Sequence, residues 1–118
     1  MDDMELFYTK DMANEGKRID LFTPTGEKTE HWIVIRSIHS DAYKAAQSAA
    51  MRDALGGEDS VADKNNKVLA SLIKSWSFKT ELTQDSAIAF INKAPQIADK
   101  IYTLAVNAEF FYKKKPLS

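Results

Sequence analysis

The chain contains no cysteine. Disulfides, thiolate nucleophiles and thiolate metal ligands are therefore all excluded, and a reducing compartment suits the composition. An excess of one charge sign is also missing: 16 basic residues face 17 acidic ones, for a formal net charge of −1. A general nucleic-acid binder draws its affinity from phosphate contacts and usually shows a basic excess, so the balance argues against nucleic acid as a partner. No apolar run approaches the roughly 20 residues that span a bilayer, which argues against a membrane protein. The first residues, Met-Asp-Asp-Met-Glu, lack the basic region and apolar stretch of a signal peptide, so the expected location is the cytoplasm. Glycine and proline are sparse, at four and three residues. The one glycine pair, Gly56-Gly57, is not followed by the Gly-Lys-Ser or Gly-Lys-Thr of a phosphate-binding loop, and no Gly-x-Ser-x-Gly nucleophile elbow occurs.

What remains is an ordinary globular composition, 44% hydrophobic over 118 residues, enough for one domain with one core. Residues 1–16 are a weakly patterned arm in which Leu6, Phe7 and Tyr8 are candidate anchors, ending in the turn Asn14-Glu15-Gly16. Residues 17–38 change period. Ile19, Leu21 and Thr23 alternate with Arg18, Asp20 and Phe22, and a second run holds Trp32, Ile33, Val34, Ile35 and Ile38. Between them Thr23-Pro24-Thr25-Gly26-Glu27-Lys28 combines a preset proline dihedral with a glycine able to take positive φ, which predicts a β-hairpin. Trp32, Val34 and Arg36 share one face of its second strand and Ile33, Ile35 and Ser37 the other, so one face meets the helices and the other is a candidate contact surface.

Residues 40–112 read as helix. Ser40 or Asp41 caps an alanine-rich helix that stops at Gly56-Gly57, and Glu58-Asp59 forms a loop. Ser60 opens a second helix, with Asp63 favouring its dipole and Val61, Asn65, Val68, Leu69, Leu72, Ile73 and Trp76 at helical spacing. Thr83 caps a third carrying Ala87, Ile88, Phe90 and Ile91. Pro95 starts a fourth, which carries Ile97, Ala98, Ile101, Leu104, Ala105, Ala108 and Phe111 on one side and Tyr102, Val106 and Phe110 on another. Residues 113–118 are a tail in which Lys113-Lys114-Lys115 complements the helix end and Pro116 stops it. The expected fold is α+β, an N-terminal β-hairpin followed by a bundle of about four α-helices.

Residues that could carry chemistry are few. His31 and His39 lack further ligands at metal-binding spacing and read as ordinary edge histidines. The acidic pairs Asp2-Asp3 and Glu58-Asp59 sit at a terminus and in a loop, where solvated charge is the simple reading. The chain is therefore expected to be no enzyme and to need no cofactor or metal. Trp76 and Phe78 read either as core or as interface anchors, since tryptophan is enriched among interface hot spots. Three adjacent helical aromatics, Phe110-Phe111-Tyr112, cannot all face one core, which makes them, with Trp32, candidate partner-binding residues.

The order of these features resembles the tail assembly chaperones of bacteriophages with long, non-contractile tails. The resemblance is carried by Pro24-Thr25-Gly26-Glu27, Ser40-Asp41-Ala42, Leu72-Ile73-Lys74-Ser75-Trp76, Leu82-Thr83-Gln84-Asp85-Ser86-Ala87, Ala94-Pro95-Gln96-Ile97 and Asn107-Ala108-Glu109-Phe110-Phe111. It implies a protein of the host cytoplasm that binds the helical tape measure protein, keeps it soluble before the tail tube assembles, and is absent from the mature virion. It also implies a longer, frameshifted form that recruits the tail tube protein, and the excess apolar helical surface suits a homo-oligomer. The competing expectations are a small regulatory or adaptor protein, tested by a gel shift, and a structural head–tail connector, tested by mass spectrometry of virions. Lysine is encoded only by AAA or AAG, so Lys113-Lys114-Lys115 can be written as an A-rich slippery sequence. The coding DNA is expected to show that run with an open overlapping frame; AAG codons that break the run, or a closed frame, would contradict a frameshift.

Overall fold

The hairpin turn closes on local chemistry. In the structure, a computed structural model that describes residues 3–56 and 61–112, Gly26 takes φ of 91°. Its N–H donates to Thr23 O at 2.8 Å, while Thr23 N–H donates to Glu27 O at 2.9 Å. The turn joins β1 (Lys17–Phe22) to β2 (Lys28–Ile35) in antiparallel register, with Ile19 opposite Ile33 and Lys17 opposite Ile35. Alternation decides the faces as expected. Ile19, Leu21, Ile33 and Ile35 are buried, whereas Arg18, Asp20 and Phe22 are exposed. Complete burial of Ile33 and Ile35 stabilises the fold by about 1.5–3 kcal/mol each relative to exposure.

The sheet has a third strand that periodicity did not predict. Residues 61–76 were expected to form one helix, but α3 covers only Val61–Ala70, and β3 (Ile73–Trp76) pairs antiparallel with β2, giving the order β1-β2-β3. The last turn of α3 tightens, with Ser71 N–H shared between Lys67 O and Val68 O and Leu72 N–H donating to Leu69 O. Arg36 then takes over. Its backbone N–H donates to Leu72 O at 2.7 Å, and its guanidinium Nη1 donates to Ser71 O at 2.9 Å and to Ile73 O at 3.2 Å. Carbonyls that a continuing helix would have satisfied are satisfied across the sheet instead.

The whole forms a small α+β domain: a three-stranded sheet, built on the N-terminal hairpin, with several helices. The arm is more ordered in outline than its sequence suggests. A 3₁₀ turn over Asp3–Phe7 precedes α1 (Lys10–Glu15). Leu6, Phe7 and Tyr8 are exposed, and the anchor is Ala13, fully buried, whose carbonyl accepts from Ser37 N–H. Gly16 ends α1 at φ of 75°, and a Cβ there would lie 2.1 Å from Ile35 O, so no other residue fits without displacing the central strand. α2 (Asp41–Gly56) is capped by Ser40, whose Oγ accepts from Tyr43 N–H at 3.3 Å. Asp41 instead exchanges two hydrogen bonds with the Asn14 amide.

Thr83 caps α4 (Gln84–Lys93) in a reciprocal box with Ser86, and Pro95 occupies the first turn of α5 (Pro95–Ala105), both as expected. The last helix is not continuous to Phe111. It breaks at Val106-Asn107, and α6 (Ala108–Tyr112) restarts under Asn107, whose Oδ1 accepts from Glu109 N–H at 3.0 Å. The expected stop at Gly56-Gly57, the Glu58-Asp59 loop, the Ser60 cap, the Asp63 dipole contact, Asp2-Asp3 and the Lys113-Lys114-Lys115-Pro116 tail rest on residues or side chains outside those described. Among the described residues no helix is long and apolar enough to cross a membrane.

Replacing Arg36 by Met keeps the stem and removes two charged hydrogen bonds. Urea denaturation should then show a loss of about 2–4 kcal/mol, and an unchanged midpoint and slope would contradict the clamp.

Candidate functional site

The helices touch in chain order, α2 with α3, α3 with α4 and α4 with α5. The first and last therefore flank a groove floored by α3. Its volume is about 760 Å³. Val68, Leu69 and Ala98 line it with apolar surface, and Asn65, Asp99 and Thr103 add polar groups. From α2, Tyr43, Gln47, Ala50 and Met51 complete the lining. Among its lining residues Met51 is 72% exposed and Tyr102 50% exposed, so both offer large side chains to a partner.

Tyr43 is the groove's one deeply buried aromatic, at 8% exposure. Its hydroxyl accepts from Gln47 Nε2 at 3.3 Å. Burial, with a smaller contribution from Tyr102, raises its pKa above the ordinary 10.0.

The sequence-predicted site residues fall in three places. Trp76 and Phe78 come together: their ring centroids are 5.3 Å apart, and Phe90 of α4 completes the cluster at 5.8 Å from Trp76 and 5.1 Å from Phe78. His31 joins from β2, 4.8 Å from Phe78, with its Nδ1 3.0 Å from Ser77 Oγ. The indole of Trp76 donates to Thr80 O at 2.9 Å, so this half-buried ring has its polar need met while a hollow of about 380 Å³ opens beside it. Trp32 lies on the opposite, outward face of the sheet under the Arg18 guanidinium, 4.9 Å from its ring centroid. Phe110, Phe111 and Tyr112 sit on α6. Phe111, at 3% exposure, is core and offers a partner almost no surface. Phe110 and Tyr112 are half-buried, and the Tyr112 hydroxyl has no hydrogen-bond partner among the described residues. His31 lies on β2, which ends at Ile35, and His39 is exposed in the following loop.

Met51, Tyr102 and the groove between them were not among the predicted site residues. The available signal was the alanine content of α2, which permits close helix contact but equally leaves space where the neighbour does not close. Among the described residues no group of three or more His, Asp or Glu is placed to hold a metal ion. Comparison with protein families, curated proteins and solved structures returned no match.

Because the neutral form of Tyr43 is favoured in the folded state, its contribution to stability is fully present below pH 10.0 and is lost as pH rises toward its higher folded value. Between pH 8 and pH 11, about two units below and about one unit above the reference value, the melting temperature should fall more for the wild type than for Tyr43→Phe. Equal losses would show that Tyr43 ionisation does not contribute.

Proposed function

We propose that this chain is a non-enzymatic tail assembly chaperone of a phage, and that the groove between α2, α3 and α5 takes amphipathic helical segments of the tape measure protein. The observation that supports this reading is a groove lined by the apolar Val68, Leu69 and Ala98 together with the exposed Met51 and Tyr102. A helix laid in such a groove places residues at i, i+3, i+4 and i+7 onto the floor. The unbranched thioether of methionine adapts to side chains of different shape, which a long client of varied sequence requires. Asn65, Asp99 and Thr103 supply polar contacts for the flanks of the bound helix.

In this reading α2, α3, α4 and α5 are the bundle of about four helices, with the sheet as their support. Trp76, Phe78, Phe110, Tyr112 and Trp32 are secondary contacts, suited to further copies or to the tail tube protein reached through a longer form. Assembly takes place in the host cytoplasm, and the protein leaves before the virion is complete.

The test is co-expression with a tape measure protein, the long, helix-rich product that this reading expects to be encoded beside this gene. The client should stay soluble with the wild-type chain, and Met51→Lys, at an exposed position, should weaken binding tenfold or more, about 1.4 kcal/mol. A client that precipitates regardless would refute the chaperone role. Unchanged affinity in the variant would refute the groove.

A further inference from the structure

β1 is an edge strand, and its charges select a partner. Ser77 N–H donates to Trp32 O at 3.1 Å, and Arg36 N–H donates to Leu72 O. Even-numbered residues of β2 therefore turn their backbone polar groups toward β3, and odd-numbered ones toward β1. Lys17 and Ile19, opposite Ile35 and Ile33, take the ladder bonds on that side. The N–H and C=O groups of Arg18 and Asp20 are left pointing outward from the sheet, and among the described residues nothing hydrogen-bonds to them. Unpaired edges of this kind invite another strand unless charge, bulges or cover prevent it.

Edge charge prevents pairing when it is of one sign. Here it is mixed: Arg18 and Asp20 stand two residues apart on the outer face, 3.7 Å from each other, with side chains 59% and 56% exposed. We infer that β1 pairs antiparallel with β1 of a second copy about a two-fold axis at Ile19, making one continuous six-stranded sheet. In that register Arg18 of each copy lies opposite Asp20 of the other. The outward backbone groups of those two residues then form the narrow hydrogen-bonded pairs of an antiparallel ladder. Phe22, 46% exposed, falls opposite Gly16, where there is no side chain to obstruct its ring. An axis at Arg18 would set Arg18 against Arg18, and an axis at Asp20 would set Asp20 against Asp20. Like charges directly opposite are destabilising, so the sequence of this short strand selects both a second copy as occupant and one register.

The interface is small, so the dimer is a weak one, and it forms with no client present. Its failure would therefore leave the client proposal standing. Sedimentation velocity of the purified full chain should show monomer at about 5 µM and a rising dimer fraction toward about 500 µM, as expected for an interface well below the standard size. Arg18→Asp and Asp20→Arg should each abolish the dimer, and the double exchange Arg18→Asp/Asp20→Arg should restore it. Circular dichroism of each variant checks that the monomer remains folded. The chain has no cysteine of its own, so a mixture of Arg18→Cys and Asp20→Cys proteins should cross-link on oxidation, while Arg18→Cys alone should not. A wild type that stays monomeric at the highest concentration would overturn the proposal. So would single reversals that leave the dimer intact, or a cross-link of Arg18→Cys with itself.

Discussion

The structure turns on the guanidinium of Arg36. It sits where α3 has to stop being a helix, and it supplies the donors that the carbonyls of Ser71 and Ile73 would otherwise lack. Burial lowers its pKa below the ordinary arginine value, because the charged form loses hydration, but arginine remains protonated at any pH where a protein folds. Two carbonyls aimed at one charged group recover part of that hydration and make the donor selective for this turn. With the turn held, β3 lies beside β2, and β2 becomes a central strand with partners on both edges. Ile33 and Ile35 are fully buried as a result.

The candidate surfaces follow from that geometry. β3 delivers Trp76 and then Phe78 to Phe90 of α4, while His31 arrives from β2. One aromatic cluster is thus assembled from three segments distant in sequence. Elsewhere Asn65, Val68 and Leu69 of α3 line a groove with residues of α2 and α5, Met51 and Tyr102 among them. The outward face and free edge of the sheet are left to Arg18, Asp20 and Trp32. Each surface uses residues the core cannot absorb, which is why binding rather than chemistry is the reading we favour.

Elements decided by neighbouring residues were legible in the sequence. Gly26 and Pro24 marked the hairpin, alternation assigned its faces, the caps were narrowed to Ser40 or Asp41 and to Thr83, and Pro95 opened α5. Elements decided by distant residues were not. The spacing of Leu69, Leu72, Ile73 and Trp76 fits a helix, and four residues are too few for period alone to separate strand from helix. The deciding group, Arg36, lies 35 residues from Ser71. Asn107 broke the last helix by capping a new one, a signal the apolar stripe from Ile97 to Phe111 concealed. Trp76 and Phe78 were picked out as a pair and do meet, but Phe90 and His31 joined them only through the fold. The groove was illegible for a different reason: it is space between helices, and the alanines of α2 fit close helix contact as well as an unfilled gap.

The central claim is that residues following Ala70 leave the helix and pair with β2. Nuclear Overhauser contacts on the isotope-labelled chain test it directly. The account predicts cross-strand backbone contacts between Val34 and Ser75 and between Ile33 and Trp76, the pairs of the β2–β3 ladder. Unbroken sequential helical contacts running from Val68 through Trp76, with no contact to β2, would contradict it.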